Sequence, residues 1–178
     1  SDTWATSYVL SETIKQHLPD FDLILCGERA TDGDTGQVGP GIAAHLDLPL
    51  ATYVSKIQTT TNGDGNTFHV ERLVEGGYEV LSGPFPALLT VVKEISFPRL
   101  PTLRGKQKAK KVEIPVITPE TLTLPEDCIG LSGSPTQVVK IFRPQISRQG
   151  EKYTIKEEPD LEQAIDRLIA FLQQKNLM

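Results

Sequence analysis

Residues 21–48, FDLILCGERATDGDTGQVGPGIAAHLDL, decide how the rest of the chain is read. FDLILC is a short, mostly apolar run, the pattern of a strand in a sheet covered on both faces. The glycines that follow, Gly27, Gly33, Gly36, Gly39 and Gly41, let a backbone turn sharply and present its N–H groups outward. Pro40 has no N–H to lose and suits a helix start, and Ile42, Ala43 and Leu46 supply an apolar face behind it. A helix entered from such a loop presents orphan N–H groups and the positive end of its dipole, which together favour an anion. The stretch therefore predicts a strand, a phosphate-holding loop and a helix.

The loop is not a standard phosphate motif. It lacks G-x-x-x-x-G-K-[ST], holds no lysine, and does not read G-x-G-x-x-G after the strand. By glycine content alone it reads equally as a plain strand–helix connection. Asp32, Asp34, Thr35 and Gln37 add carboxylate, hydroxyl and amide groups that suit a ribose or an adenine edge. A calcium loop fails on its ligands: counted from Asp32, positions five and twelve are Gly36 and Ala43. Asn62, Asp64 and Asn66 lack the glycine at position six and the closing glutamate, and read as a turn.

Upstream, SDTWATSYVLSETIKQHL predicts a helix capped by Ser1 or Asp2. Trp4, Tyr8, Leu10, Ile14 and Leu18 form its apolar side, with Ser11, Glu12 and Lys15 facing outward. Pro19-Asp20 ends it. An α/β sheet normally opens on a strand, so the chain reads as lacking an N-terminal part.

Downstream, Leu48-Pro49 marks a turn and ATYVSKIQTT a half-buried strand, followed by the turn cluster TNGDGNT. FHVERLVEGGYEVLSG predicts two strands around Gly76-Gly77, and ALLTVVKEI a central strand between Pro86 and Pro98. Strands crowding behind a helical start predict a parallel core with an antiparallel extension. Beyond Pro98 the prolines interrupt regular structure as far as about Pro144, with a break at Leu131–Pro135 and a short strand at TQVVKIF. Pro159 and Asp160 open a last helix whose Leu161, Ile165, Leu168, Ile169 and Leu172 make one stripe.

Composition excludes several classes. A net charge of −5 argues against nucleic acid as the main partner, and no apolar run reaches the length that spans a bilayer. Cys26 and Cys128 make neither a disulfide framework nor a metal spacing, which suits a reducing, cytoplasmic setting. His17, His45 and His69 show no ligand spacing and G-x-S-x-G is absent, so the parts of a self-contained hydrolase or transferase are missing. Arg104, Lys106, Lys108, Lys110 and Lys111 form a basic run beside Leu100 and Leu103, readable as a solvated loop or as a docking surface for a protein.

GERATDGDTGQVGPGIAAHLDLP resembles the nucleotide-binding signature of the electron transfer flavoprotein beta subunit, and PRLPTLRGKQKAKKVEI resembles that family's partner-recognition loop, in the same order and at a similar distance. The resemblance implies an electron carrier that is not itself an enzyme. It pairs with an alpha subunit, with FAD between the two, and docks flavin dehydrogenases. Carried over residue by residue, the nucleotide segment is Gly27, Glu28, Arg29, Ala30, Thr31, Asp32, Gly33, Asp34, Thr35, Gly36, Gln37 and Val38. The docking segment is Leu103 as apolar anchor with Arg104 and Lys108. The family's beta subunit holds either AMP or, in electron-bifurcating members, a second FAD. ATDGDTGQVGP resembles the two-flavin group, and Thr3 and Thr6 at the opening helix are placed to hold a diphosphate, which puts FAD ahead of AMP. Family members open with a strand and loop that cover the adenine side. Without them this chain is expected to bind its nucleotide weakly or not at all by itself. The expected fold is an incomplete Rossmann-like, doubly wound α/β domain with an antiparallel extension and a C-terminal helix. Its expected division is a nucleotide-binding domain at 1–98, a recognition and proline-rich segment at 99–144, and a C-terminal segment at 145–178.

Overall fold

A computed structural model describes residues 1–62, 65–143 and 150–177. The chain divides into two compact units, residues 1–138 and 139–178.

The first unit opens with helix α1 (Thr3–His17), followed by strand β1 (Leu23–Gly27) and helix α2 (Val38–Leu46). Strands β2 (Leu50–Asn62), β3 (Gly65–Val74), β4 (Gly77–Pro84) and β5 (Ala87–Val91) follow. Among the described residues these strands form one sheet in the order β1-β5-β2-β3-β4. The β1–β5 and β5–β2 pairs are parallel, and β2–β3–β4 is an antiparallel meander. This is the α/β fold expected, with a parallel core, an antiparallel extension and a C-terminal helix. Gly76, at φ +87°, makes the turn of the expected β3–β4 hairpin. The TNGDGNT turn has its centre, with Asp64, outside the described residues.

β5 carries the core on both faces, because successive residues of a strand point to opposite sides. Leu88 packs against Ile42 and Ala43 of α2, with Ile14 and Ile24 around them. Leu89 and Ala87 face the other way, into a cluster with Ala51, Val54, Phe68 and Val70. ALLTV is thus an interior, buried strand, as its aliphatic, partly β-branched run predicts, and it gives way to a single 3-10 turn at Lys93–Ile95.

Two sequence-based expectations about burial are corrected. β1 was expected to be covered on both faces, yet among the described residues it has one neighbour, β5, and Leu25 is 56% exposed. In α1 the buried residues are Ala5, Ser7 and Ser11, whereas Trp4, Leu10 and Leu18 of the predicted apolar side are exposed. The reason is the closeness of α2. A Cβ placed on Gly41 would lie 2.5 Å from Ser7 Oγ, so the two helices meet through their smallest side chains. Ser7 and Ser11 tolerate burial because their hydroxyls donate to the carbonyls of Trp4 and Tyr8. Trp4 and Tyr8 lean instead on the ring of His45 at 5.0 and 5.6 Å.

Beyond the sheet, the proline-rich region is less irregular than expected. Thr102 accepts from Gly105 N and caps a short helix, α3 (Leu103–Ala109), in place of a plain loop. A one-turn helix, α4 (Pro119–Leu122), follows, and Gln16 of α1 donates to its Leu122 carbonyl at 3.1 Å. The strand expected at TQVVKIF is not formed: among the described residues, 136–142 have no ladder partner. In the second unit, α5 (Glu158–Gln174) starts with a capping box of Glu157 and Asp160, with Pro159 in its first turn.

Candidate nucleotide site

The loop Glu28–Gln37 leaves the carboxyl end of β1 beside that of β5, since Gly27 is in register with Val91 and Glu28 N donates to Val91 O at 3.0 Å. The carboxyl ends of parallel strands are where open α/β sheets bind ligands. The loop then rises over the sheet and lands at Gly39, where α2 presses on β5. A Cβ there would meet Thr90 Cγ2 at 2.6 Å.

Inside the loop Arg29 bridges two of the three carboxylates. Arg29 Nη1 lies 3.1 Å from Asp34 Oδ1, and Arg29 Nε lies 3.8 Å from Glu28 Oε1. Asp34 holds a left-handed conformation at φ 51°, secured by its N–H donating to Ala30 O at 2.9 Å. Asp32 turns one carboxylate oxygen onto Gly33 N at 2.8 Å. Thr31 and Thr35 are exposed. Val38 is different: its side chain packs into the helix-side core, leaving only its backbone at the loop.

The contact that joins the two halves of the expected site is Thr3 Oγ1 donating to Gln37 Oε1 at 2.8 Å. Thr3 is the first residue of α1 and Gln37 the N-cap of α2, so two helix N-termini converge on one loop. Each brings orphan N–H groups and the positive end of its dipole. Thr6, one turn into α1, shares a hydrogen bond with Ser1 Oγ at 3.1 Å. Asp2 caps α1 through Ala5 N at 3.0 Å. Partial desolvation pushes its carboxyl up, but hydrogen bonds from Ala5 and from the hydroxyl and amide of Thr136 outweigh this and hold it below the ordinary aspartate value. Burial pushes the Cys26 thiol up, so at neutral pH it stays protonated beside the loop and is a poor nucleophile.

One residue that sequence reasoning missed lies against the loop. Tyr53, inside β2, has φ 56°, a left-handed conformation that costs a non-glycine residue about 1–3 kcal/mol. It sits within the β2–β5 register shift between Ala51 and Val54, and its N–H donates to Thr90 Oγ1 at 3.2 Å. A Cβ on Gly36 would lie 3.8 Å from the Tyr53 hydroxyl, which places the phenol beneath the loop. No sequence signal marks it, because an aromatic among β-branched residues reads as ordinary strand.

The residues expected to dock a partner stand on α3. Leu103 is its first residue and 75% exposed, and Leu100 just before it is 93% exposed. Arg104 and Lys108, four residues apart, share one side of this helix.

Among the described residues no helix is long and apolar enough to cross a membrane. The family model "Electron transfer flavoprotein domain" matches residues 1–122. The chain is 45% identical over 170 residues to the electron transfer flavoprotein subunit beta of Megasphaera elsdenii, covering 93% of this chain and 61% of that one. It is 37% identical over 179 residues to the subunit of the same description from Thermoanaerobacterium thermosaccharolyticum, covering 100% and 65%. It is 40% identical over 154 residues to a caffeyl-CoA reductase–Etf complex subunit of Acetobacterium woodii, covering 86% and 57%. The chain thus spans about three-fifths of the length of these relatives. With a family model matched from the first helix through α4, and beta subunits matched across nearly all of its length, this chain belongs to the electron transfer flavoprotein beta-subunit family.

Proposed function

We propose that this chain is part of the beta half of an electron transfer flavoprotein, passing electrons from flavin dehydrogenases to an acceptor in complex with an alpha subunit. Its loop Gly27–Val38, with Thr3 and Thr6, holds the diphosphate of an adenine nucleotide, FAD in preference to AMP. The observation that carries this reading is the Thr3–Gln37 hydrogen bond, which sets two helix N-termini at one loop. The loop's side chains sum to −2, since Glu28, Asp32 and Asp34 outnumber Arg29, so an anion is held by the backbone N–H groups at the helix ends and not by loop side-chain charge. The exposed Thr35 hydroxyl can donate to a phosphate oxygen, whereas the Thr3 hydroxyl donates to Gln37, so Thr3 and Thr6 at the end of α1 meet the anion through that end's N–H groups and dipole.

Bound flavin supplies the electron chemistry, and the protein supplies position and electrostatics. In that division the helix N-termini stabilise the diphosphate, the Arg29 bridge offsets part of the repulsion from the loop carboxylates, and Tyr53 supports the loop at Gly36. Residues 99–144 serve docking, with Leu103 as apolar anchor and Arg104 and Lys108 steering an acidic partner surface.

Co-purification with an alpha subunit tests the reading. A yellow complex is expected, with nucleotide released on denaturation; a colourless complex that still binds adenine nucleotide would instead favour a non-redox regulatory or structural module. Asp34→Ala frees Arg29 and removes the side chain that shapes the left-handed residue. Both Asp34→Ala and Thr35→Ala are expected to reduce bound beta-site nucleotide several-fold, measured as nucleotide per protein after denaturation. Unchanged content in both variants overturns the site assignment. Leu103→Ala is expected to slow electron transfer from the dehydrogenase at least tenfold, about 1.4 kcal/mol of docking energy, while flavin content stays constant. Flavin loss in this variant would show that the division between docking and cofactor residues is wrong.

A further inference from the structure

The segment Gly130–Thr136, which contains the break read at Leu131–Pro135, grips the residue that opens α1. Asp2 N donates to Ser134 Oγ at 2.9 Å, and Ser134 Oγ donates in turn to Gly130 O at 2.6 Å. Asp2 Oδ2 accepts from Thr136 N at 3.0 Å and from Thr136 Oγ1 at 2.8 Å. These partners are more than 130 residues apart in the chain. A helix cap needs only the other oxygen, Oδ1, on Ala5 N. The additional three bonds hold the amide and the second oxygen as well, which is more than capping requires.

The gripping segment is itself tightly preformed. A Cβ on Gly133 would lie 2.1 Å from the carbonyl carbon of Cys128, so only glycine allows this turn. Gly133 N donates to Ile129 O at 2.9 Å, and Ser134 is buried. A rigid turn of this kind can fix a group it binds, whereas a flexible one would follow it.

We propose that Gly130–Thr136 is a clasp that positions the nucleotide site, with Asp2, Ser134 and Thr136 as positioning residues for the diphosphate-holding end of α1. The proposal rests on the reading of Thr3, Thr6 and the loop as that site. The geometry gives the clasp two effects. Asp2 is the neighbour of Thr3, so holding its backbone sets the Thr3 hydroxyl against Gln37. Holding Oδ2 also ties up a carboxylate at a helix N-terminus that is meant to attract an anion. Released, that carboxylate would compete with phosphate for the same N–H groups. Its lowered pKa is consistent with a charge already satisfied by donors.

The test uses the full-length protein purified with its alpha subunit and stripped of beta-site nucleotide. FAD and AMP are then titrated separately, and thermal midpoints are measured in parallel. Thr136→Val removes one hydroxyl from an exposed position and is expected to weaken nucleotide binding about tenfold, while Thr136→Ser restores it to within about twofold. Gln16→Leu breaks the bond to Leu122 O at the far end of the same helix and is the control for general loosening. It is expected to lower the midpoint comparably but leave affinity within about twofold. Affinity unchanged in Thr136→Val, or reduced no more than in Gln16→Leu at a similar midpoint, overturns the clasp. Wild-type protein that binds neither FAD nor AMP overturns the site reading on which it rests.

Discussion

Leu88→Ala is expected to destabilise the protein by about 2–5 kcal/mol, the range for truncating a fully buried leucine. Leu88 is wholly buried at the centre of β5, and it is the residue through which α2 and α1 adhere to the sheet. Truncation leaves a cavity bounded by Ile42, Ala43, Ile14 and Ile24, on two helices and an edge strand that cannot all collapse inward together. The loop is anchored between those same elements, so nucleotide affinity is expected to fall with stability. The comparison is Leu25→Ala on β1, where the side chain is already 56% exposed and the loss is expected to stay below about 1 kcal/mol. Urea denaturation of the two variants checks this. Equal losses would mean that β1 is as deeply covered as its apolar sequence suggests.

Gly39→Ala is expected to cost about 1–3 kcal/mol, as overpacking of a tight contact does. The added methyl would lie 2.6 Å from Thr90 Cγ2. Thr90 cannot easily yield, because it is buried in the central strand and its hydroxyl accepts from Tyr53 N. The strain must then lift the start of α2, moving Gln37 and its bond to Thr3. Stability and nucleotide content are both expected to drop. Gly33→Ala is the contrast: a Cβ there meets nothing within 4 Å and the backbone is not left-handed. It is expected to change stability by no more than about 0.5 kcal/mol. Similar losses in both variants would show that the loop needs glycine for flexibility throughout, and not for close packing at its landing point.

That contrast marks how far the sequence was legible. Glycine richness marked the loop between strand and helix, yet it did not distinguish Gly39, which packs against Thr90, from Gly33, which faces open space. The Asp2 cap and the Gly76 turn were readable because each is a matter of a few neighbouring residues. The helix over residues 103–109 was not. Its flanking prolines mask it, and it depends on a single threonine cap and one turn of chain.

The order of strand, loop, helix and hairpin follows from local chemistry: apolar runs of strand length, glycine and proline punctuation, and capping side chains act within a turn or two of themselves. The sequence by itself determined those elements, and with them the α/β class. Tertiary structure alone decided which face of α1 is buried, because small residues facing Gly41 outweigh the apolar stripe once two helices come this close. It also decided that Thr3 meets Gln37, that Tyr53 is bent beneath the loop, and that Thr136 holds Asp2. Such pairings leave no periodic trace. A hydrogen bond between residues far apart depends on where the intervening chain places them, and not on the spacing of residue types along it.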